Sequence, residues 1–245
     1  MTYQTFLKYG LQWVVAISLG TVTAVSGAAE QEPGVKSSQA SKPAATRPAI
    51  TYKPPLRDDP QAEEDGGTRG TGGEAAILQV LAPDHAGLTL QAQPTLYWYA
   101  RTPVATRFEI ALIDKDKIDP LLEVETGNKK VAGIQQLDPG DHNLSLQPEV
   151  SYQWSVTQVI KEGSQSTDVI ASGLIERMKP GEGLTSRIKK SHGVNLVGVY
   201  ASEGIWYDAL ETLSSMIDKS PEDQGLVVIR ASLLDQVGLQ AAAGK

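Results

Sequence analysis

The best candidates for a metal site are three closely spaced aspartates, Asp114, Asp116 and Asp119. Carboxylates at such spacing can gather around calcium, which prefers oxygen ligands. Lys115 and Lys117 stand between them, and the sixth position of the run is not the glycine that a calcium loop needs. We therefore favour a solvated hairpin turn over a metal site, and we predict no metal and no other cofactor.

The chain lacks the constellations that carry common hydrolytic chemistry. No Gly-x-Ser-x-Gly nucleophile motif and no His-x-x-x-His pair occurs, and His85, His142 and His192 fall in turn-like segments. The absence of cysteine excludes disulfides, thiolate metal sites and cysteine nucleophiles. We therefore predict no catalytic residue. A cell-wall or glycan hydrolase, with carboxylates that spacing alone does not identify, is kept as an alternative.

Four aromatic residues form the candidate binding surface, Tyr97, Tyr99, Trp206 and Tyr207. Successive side chains of a strand point to opposite faces, so an inward Trp98 places Tyr97 and Tyr99 together on the other face. Such a pair suits a sugar or a partner protein. The alternative, which we favour, is that C-terminal helices cover this face and pack Trp206 against it.

Alternating apolar residues predict about seven or eight short strands between residues 74 and 180. The clearest strands are residues 95–101 and 151–160, each with a tryptophan, and residues 106–114. No helical pattern interrupts them, so we predict an α+β fold that begins with an antiparallel β-sandwich of the immunoglobulin or fibronectin type III kind. Its proposed core consists of Leu96, Trp98, Tyr152, Trp154 and Val156. Further strand segments are expected from Ile77, Leu88, Leu121, Leu144 and Val169.

Beyond residue 180 the apolar period changes from 2 to 3.6 residues, which predicts a small helical cap over residues 181–238. One helix is expected over residues 184–201, with a weak point at Gly193. A second begins near Ile205, and Ser220 is expected to cap a third helix that Gly238 ends. Residues 239–245 are predicted to be a disordered tail.

The N-terminal residues predict export. Residues 1–28 combine one cation, an apolar run and small residues, as a signal peptide does, and an uncleaved membrane anchor is the alternative. Residues 29–73 are rich in proline and glycine and predict a disordered linker. A formal net charge of −7 argues against nucleic acid as a partner. The expected location is the periplasm or the extracellular space, with membrane contact only through an uncleaved signal segment.

Several motifs, taken in order along the chain, resemble those of one known family. They are the glycine-rich residues 66–70, the run from Leu88 to Tyr99, the Tyr152-Gln153-Trp154 strand, Gly173 with the four residues after it, and YASEGIWYDAL at residues 200–210. Together they resemble the domain of unknown function 928 family, whose members are largely cyanobacterial exported proteins, over roughly residues 66 to 238. This resemblance implies the architecture and the export, and it supplies no activity.

The C-terminal residues are also similar to part of a tetratricopeptide unit. Gly204, Tyr207, Ala209 and Pro221 fall where the second helix and the exit turn of such a repeat would place them. About one and a half repeats do not stack into a solenoid, because such units need neighbours to bury their faces. We therefore favour a helical cap packed on the sandwich over a peptide groove.

These observations favour a non-enzymatic periplasmic binding or assembly module whose partner is another envelope protein. A glycan-binding domain that uses Tyr97, Tyr99 or Trp206 is the alternative, beside the hydrolase. The exposure of Trp206 discriminates between them, because a buried Trp206 removes the best residue from the glycan-binding hypothesis.

Overall fold

The computed structural model of the protein describes residues 49–55, 78–101, 105–127, 131–162 and 165–243. The predicted signal peptide and most of the predicted linker lie outside these residues. The strands are β1 (Leu78–Val80), β2 (Gly87–Thr89), β3 (Leu96–Arg101), β4 (Arg107–Asp114), β5 (Leu122–Glu125), β6 (Ala132–Leu137), β7 (Ser151–Glu162) and β8 (Gln165–Arg177). The helices are α1 (Glu182–Lys190), α2 (Gly193–Ser202), α3 (Trp206–Lys219), α4 (Gln224–Asp235) and α5 (Gln240–Ala243), with a short 3₁₀ turn at Pro139–His142.

The strands form two sheets. A small sheet has the order β1-β3-β6 and is antiparallel, and a larger sheet has the order β2-β8-β7-β4-β5. In the larger sheet β2 runs parallel to β8, while the other neighbours are antiparallel. The α+β class is therefore confirmed, and the prediction of a purely antiparallel arrangement is wrong at β2. Strands β2 and β8 are far apart in the chain, so no hairpin fixes their relative direction.

Apolar patterning fails at two places in the β region. It does not predict β6, because every side chain of that strand is half-buried or exposed and Gly133 adopts a φ of 110°. It predicts a strand at Leu144 and Leu146, where the structure has a loop. Leu146 is nevertheless buried, and its amide donates to the Ala92 carbonyl at 2.7 Å. Its side chain fills the core without joining a ladder.

The five predicted core side chains are all buried, which confirms that prediction. The Trp98 ring in the small sheet lies 6.1 Å from the Phe108 ring in the larger one. At Gly173 in β8, an added Cβ would lie 2.6 Å from the Cβ of Ala82. The backbone of β8 at Gly173 lies so close to Ala82 that only a residue without a side chain fits there.

The helical region has the predicted break at Gly193, but it differs from its prediction at the cap of the last long helix and at the C-terminal residues. The break expected at Gly193 is confirmed, since α1 and α2 are separate and Gly193 has a φ of 55°. The cap of the last long helix is Asp223 and not Ser220, because the Asp223 carboxylate accepts from the amide of Gly225 at 3.0 Å. The predicted disordered tail is wrong for residues 239–243, where Leu239 is buried and α5 follows.

Helix α3 attaches the helices to the sheets. All its residues from Trp206 to Leu210 are buried. The Trp206 indole donates to the Leu81 carbonyl at 2.8 Å, and the Tyr207 hydroxyl donates to the Leu174 carbonyl at 3.0 Å. The same hydroxyl accepts from the indole of Trp154 at 2.9 Å. No helix among the described residues is long and apolar enough to cross a membrane.

Candidate binding groove

The four aromatic residues of the predicted binding surface lie inside the protein. Tyr97, Tyr99, Trp206 and Tyr207 are all buried, and Trp206 is 0% exposed. They therefore do not form the open platform that a sugar-binding surface requires, and the glycan-binding hypothesis loses Trp206 as a contact. Burial raises the pKa of Tyr207, so its hydroxyl is a neutral partner in the α3 contacts.

Of these four residues, Tyr97 lines a cavity. This cavity has a volume of about 320 Å³ and lies between β3 and β6 on one side and α3 and α4 on the other. Helices therefore cover Tyr97, as the favoured interpretation expects. Burial, and then the charges of Glu211 and Asp218, raise the pKa of Tyr97 to about 12.

The three aspartates considered as metal ligands lie at the end of β4 and in the turn that follows it. Oδ2 of Asp114 is paired with the Lys117 ammonium at 3.0 Å, and Oδ1 accepts from the amide of Asp116 at 3.1 Å. These two hydrogen bonds hold the pKa of Asp114 below its usual value. Asp116 and Asp119 are exposed. Within the described part of the chain, no three His, Cys, Asp or Glu side chains are grouped as metal ligands would be.

Residues 49–55, which we call the docked segment, form the feature of the structure that most resembles an occupied binding site. They fall inside the predicted linker, and the prediction of disorder is wrong for them. Ile50 and Tyr52 are buried, while Ala49, Thr51 and Lys53 are exposed. This alternation with a period of 2 is the pattern of an extended peptide lying in a groove.

Backbone hydrogen bonds hold the docked segment. The side chain of Gln236, just after α4, accepts from the amide of Tyr52 at 2.9 Å and donates to the carbonyl of Ile50 at 3.0 Å. One carboxamide thus binds both backbone groups as a neighbouring strand would. The amide of Lys53 donates to the carbonyl of Ala201 near the end of α2, also at 3.0 Å. On the side of the docked segment these hydrogen bonds involve only backbone atoms, so they do not depend on the sequence of the segment.

The side chain of Tyr52 anchors the docked segment between two rings. Its centroid lies 5.1 Å from that of Trp206, edge to face at 78°, and 5.9 Å from that of His85, stacked at 14°. The Tyr52 hydroxyl hydrogen bonds to Nε2 of His85 at 2.9 Å, and Nδ1 of His85 lies 3.2 Å from the Asp84 carboxylate. Burial, assisted by Asp84, raises the pKa of Tyr52, so the phenol is neutral.

Gly204 makes room for the docked segment. It has a φ of 72°, a backbone conformation that residues other than glycine rarely adopt. An added Cβ would lie 2.9 Å from Cδ of Pro55 and 3.0 Å from the Lys53 carbonyl oxygen. The glycine therefore serves both the turn before α3 and the close passage of the segment.

The groove continues beyond Ile50 as an apolar cavity of about 420 Å³. Ala49 and Ile50 form one side, and Val228 and Ile229 of α4 contribute apolar wall on the other. Val228 is 66% exposed, which is high for an apolar side chain. The docked segment therefore occupies one end of a longer apolar surface.

Two acids of α3 bind the loop after β2. The Asp208 carboxylate accepts from the Leu90 amide at 3.0 Å and from the hydroxyl of Thr89. Burial raises the pKa of Asp208 to about 6 despite these hydrogen bonds. Glu211 accepts from the side chain of Gln91, and burial also raises its pKa. The sequence alone identifies neither acid as important. Their hydrogen bonds connect α3 to the end of β2 and the loop after it, which indicates a structural role.

Sequence reasoning also misses the groove. The sequence feature that could have indicated the groove is the pair Ile50 and Tyr52, two apolar side chains at a spacing of two within a proline-rich run. Gln236, which binds them, looks like an ordinary surface residue of a helix end.

Comparison with known proteins gives a family and no activity. No curated protein matches the chain. One family model, described as Domain of Unknown Function (DUF928), matches residues 64–245, which is more than half of the chain. The matched residues include the groove side chains Trp206 and Gln236, and they leave out the docked segment. The chain belongs to the Domain of Unknown Function (DUF928) family.

Proposed function

We propose that the protein is an exported, non-enzymatic binding and assembly module that acts in the periplasm, and that its helical groove binds an extended segment of another envelope protein. The observation that carries this proposal is the docked segment. It is held by backbone hydrogen bonds to Gln236 and Ala201 and by the side chains of Ile50 and Tyr52, as a bound peptide is.

The groove supports a simple recognition rule. Backbone hydrogen bonds give affinity for any extended segment, and buried side chains at alternate positions select the sequence. The pocket of Tyr52 takes an aromatic ring with a polar tip, because Trp206 offers an edge contact and His85 a hydrogen bond. A partner segment would therefore carry an apolar residue two positions before an aromatic one.

The apolar cavity next to Ile50 gives a partner additional contact area. Because it adjoins the docked segment, a longer partner segment would fill it while also replacing Ile50 and Tyr52. The occupant we propose there is thus the same extended segment, continued over Val228 and Ile229 of α4.

Finer features of the fold belong to the same proposal. We propose that the two sheets form an immunoglobulin-like or fibronectin-like sandwich, supported by the ring contact of Trp98 with Phe108 between the sheets. The helices are proposed to be related to a tetratricopeptide unit, supported by an extended segment bound against them.

A labelled peptide of residues 47–56 tests the groove. The receptor is the full chain carrying Ile50→Ala and Tyr52→Ala, which weakens its own docked segment and leaves the groove intact. We expect fluorescence anisotropy to show saturable binding, weaker binding to the wild-type chain, and none for a peptide with Tyr52→Ala. Gln236→Ala in the receptor should weaken binding about ten-fold through two lost hydrogen bonds. Gln240→Ala, an exposed glutamine nearby, is the matched control and should change nothing.

The partner is then sought by crosslinking the tagged chain in its native envelope. A crosslinked segment supports the proposal when the peptide of residues 47–56 displaces it and Gln236→Ala removes it. Absence of peptide binding to a receptor with native circular dichroism would overturn the proposal, because the docked segment would then be a fixed part of this fold only.

A further inference from the structure

The hydrogen bonds that hold the docked segment come from residues distant from it in the sequence. Gln236 lies 184 positions from Tyr52, and His85, which binds the Tyr52 hydroxyl, lies 33 positions away. The Lys53 amide donates to the carbonyl of Ala201, which belongs to α2. The segment is therefore bound as a separate peptide would be, and a second copy of the chain carries both the same segment and the same groove.

An exchange of segments between two copies keeps these contacts. Each groove presents the Gln236 carboxamide, the Ala201 carbonyl and the Trp206 ring. Each copy supplies one Ile50 and one Tyr52 as buried side chains. A reciprocal exchange fills both grooves and leaves neither side chain in water. The exchanged dimer and the separate molecules then differ mainly in the entropy of association, as in domain swapping.

The sequence between the docked segment and β1 is long enough for such an exchange. Within one molecule the points to be joined are close, because Tyr52 contacts Trp206, whose indole binds the carbonyl of Leu81 beside β1. Residues 56–77 separate the segment from β1 in the sequence. At about 3.5 Å for each residue, a chain of that length spans at most about 75 Å, which is more than docking within one molecule requires.

We infer that the groove also accepts the docked segment of a second copy of this chain, so that two copies exchange residues 49–55 and form a dimer. The inference rests on the proposed peptide groove and names a second copy as a partner for it. Docking within one chain competes with the exchange. Because the contacts are equal, dimers form in quantity only when the concentration of chains approaches the effective concentration, on the order of millimolar. Self-association is therefore controlled by how closely the copies are held together.

Two variants of the full chain remove this competition and test the exchange. The acceptor carries Ile50→Ala and Tyr52→Ala, so its groove is intact and its own segment is weakened. The donor carries Gly204→Ala and Gln236→Ala, so its segment is intact and its own groove is weakened. We expect sedimentation velocity to show a monomer for each variant alone. The equimolar mixture should form a dimer at concentrations above the dissociation constant of the free peptide of residues 47–56 for the acceptor.

Two further donors make the test specific. A donor that also carries Tyr52→Ala should not associate with the acceptor, because it lacks the ring that packs against Trp206. A donor that also carries Thr51→Ala, at an exposed position beside Tyr52, is the matched control and should associate as the first donor does. All variants are compared by circular dichroism, and His85→Ala replaces Gly204→Ala in the donor if the latter disturbs the spectrum.

The outcomes separate this inference from the proposed function. Binding of the free peptide to the acceptor without dimer formation by the donor would overturn the inference and leave the peptide groove in place. Absence of peptide binding as well would overturn both. A dimer that persists with the Tyr52→Ala donor, or that an excess of the free peptide does not dissociate, would also overturn the inference, because its interface would lie outside the groove.

Discussion

Replacement of Asp208 by asparagine should change how the stability of the protein depends on pH. Asp208 is buried where α3 meets the loop after β2, and burial raises the pKa of its carboxyl from 3.8 to about 6. The folded protein therefore binds this proton more tightly than the unfolded chain does. Between about pH 4 and pH 6 the folded state carries more protons, so the free energy of unfolding falls as pH rises through this window.

The magnitude follows from the difference between the two pKa values. A difference of about two pH units, at about 1.4 kcal/mol for each, gives about 3 kcal/mol of stability that is present below pH 4 and lost above about pH 6. The asparagine side chain of the variant has no proton to lose in this range. The variant should therefore gain about 3 kcal/mol relative to the wild-type chain when the pH is raised from 4 to 7.

Urea unfolding at intervals from pH 4 to pH 7 measures this effect, with circular dichroism as the probe of a two-state transition. Only the difference between variant and wild type is used, since Glu211 also has a raised pKa and contributes to both profiles. Asp235→Asn, at an exposed aspartate of α4, is the control and should follow the wild-type profile. Parallel profiles for Asp208→Asn and wild type would refute the reasoning that burial of this carboxyl governs its titration.

Two glycine substitutions test the close approaches in the structure. Gly173→Ala should destabilise the protein by about 1–3 kcal/mol or more in urea unfolding, because its Cβ would meet Ala82 at 2.6 Å. Gly198→Ala is the matched control, since nothing lies within 4 Å and alanine favours a helix by up to about 1 kcal/mol; equal effects of the two would contradict the packing described. Gly204→Ala should release the docked segment, seen as faster hydrogen exchange at the Lys53 amide, and unchanged exchange there would count against the contact of Gly204 with Pro55.

Local patterning predicts the parts of this fold that are formed by neighbours in the chain. The strand around Trp154 alternates with a period of 2 because one of its faces is buried in the core, whereas the strand around Trp98 is buried on both faces as far as Ala100. The break before Gly193 is also local, since a glycine at a φ of 55° ends a run of helical geometry. Helices cover Tyr97, as the favoured interpretation expects, although its cavity neighbours Ser214 and Arg230 are distant from it in the chain.

Contacts between distant residues are the parts that the sequence does not reveal. The groove depends on the hydrogen bond between Tyr52 and Gln236, which are 184 positions apart, and neither residue has a distinctive local pattern. The parallel pairing of β2 with β8 is of the same kind. The cavity at Tyr97 likewise combines Ser214 and Arg230 from two helices, and the hydroxyl of Ser214 stands in an apolar stripe where a helical pattern gives no reason for it.

The docked segment sets the affinity that a partner needs. It belongs to the same chain as its groove, so a partner segment competes with an intramolecular ligand, whose effective concentration is commonly on the order of millimolar. A partner segment with equal contacts would have to be present at a comparable concentration to displace it. A partner that also filled the apolar cavity along Val228 and Ile229 would gain buried area that the docked segment does not use. The same groove would therefore remain closed to short segments of similar sequence and open to a longer one, which is a property that suits an assembly module more than a general peptide receptor.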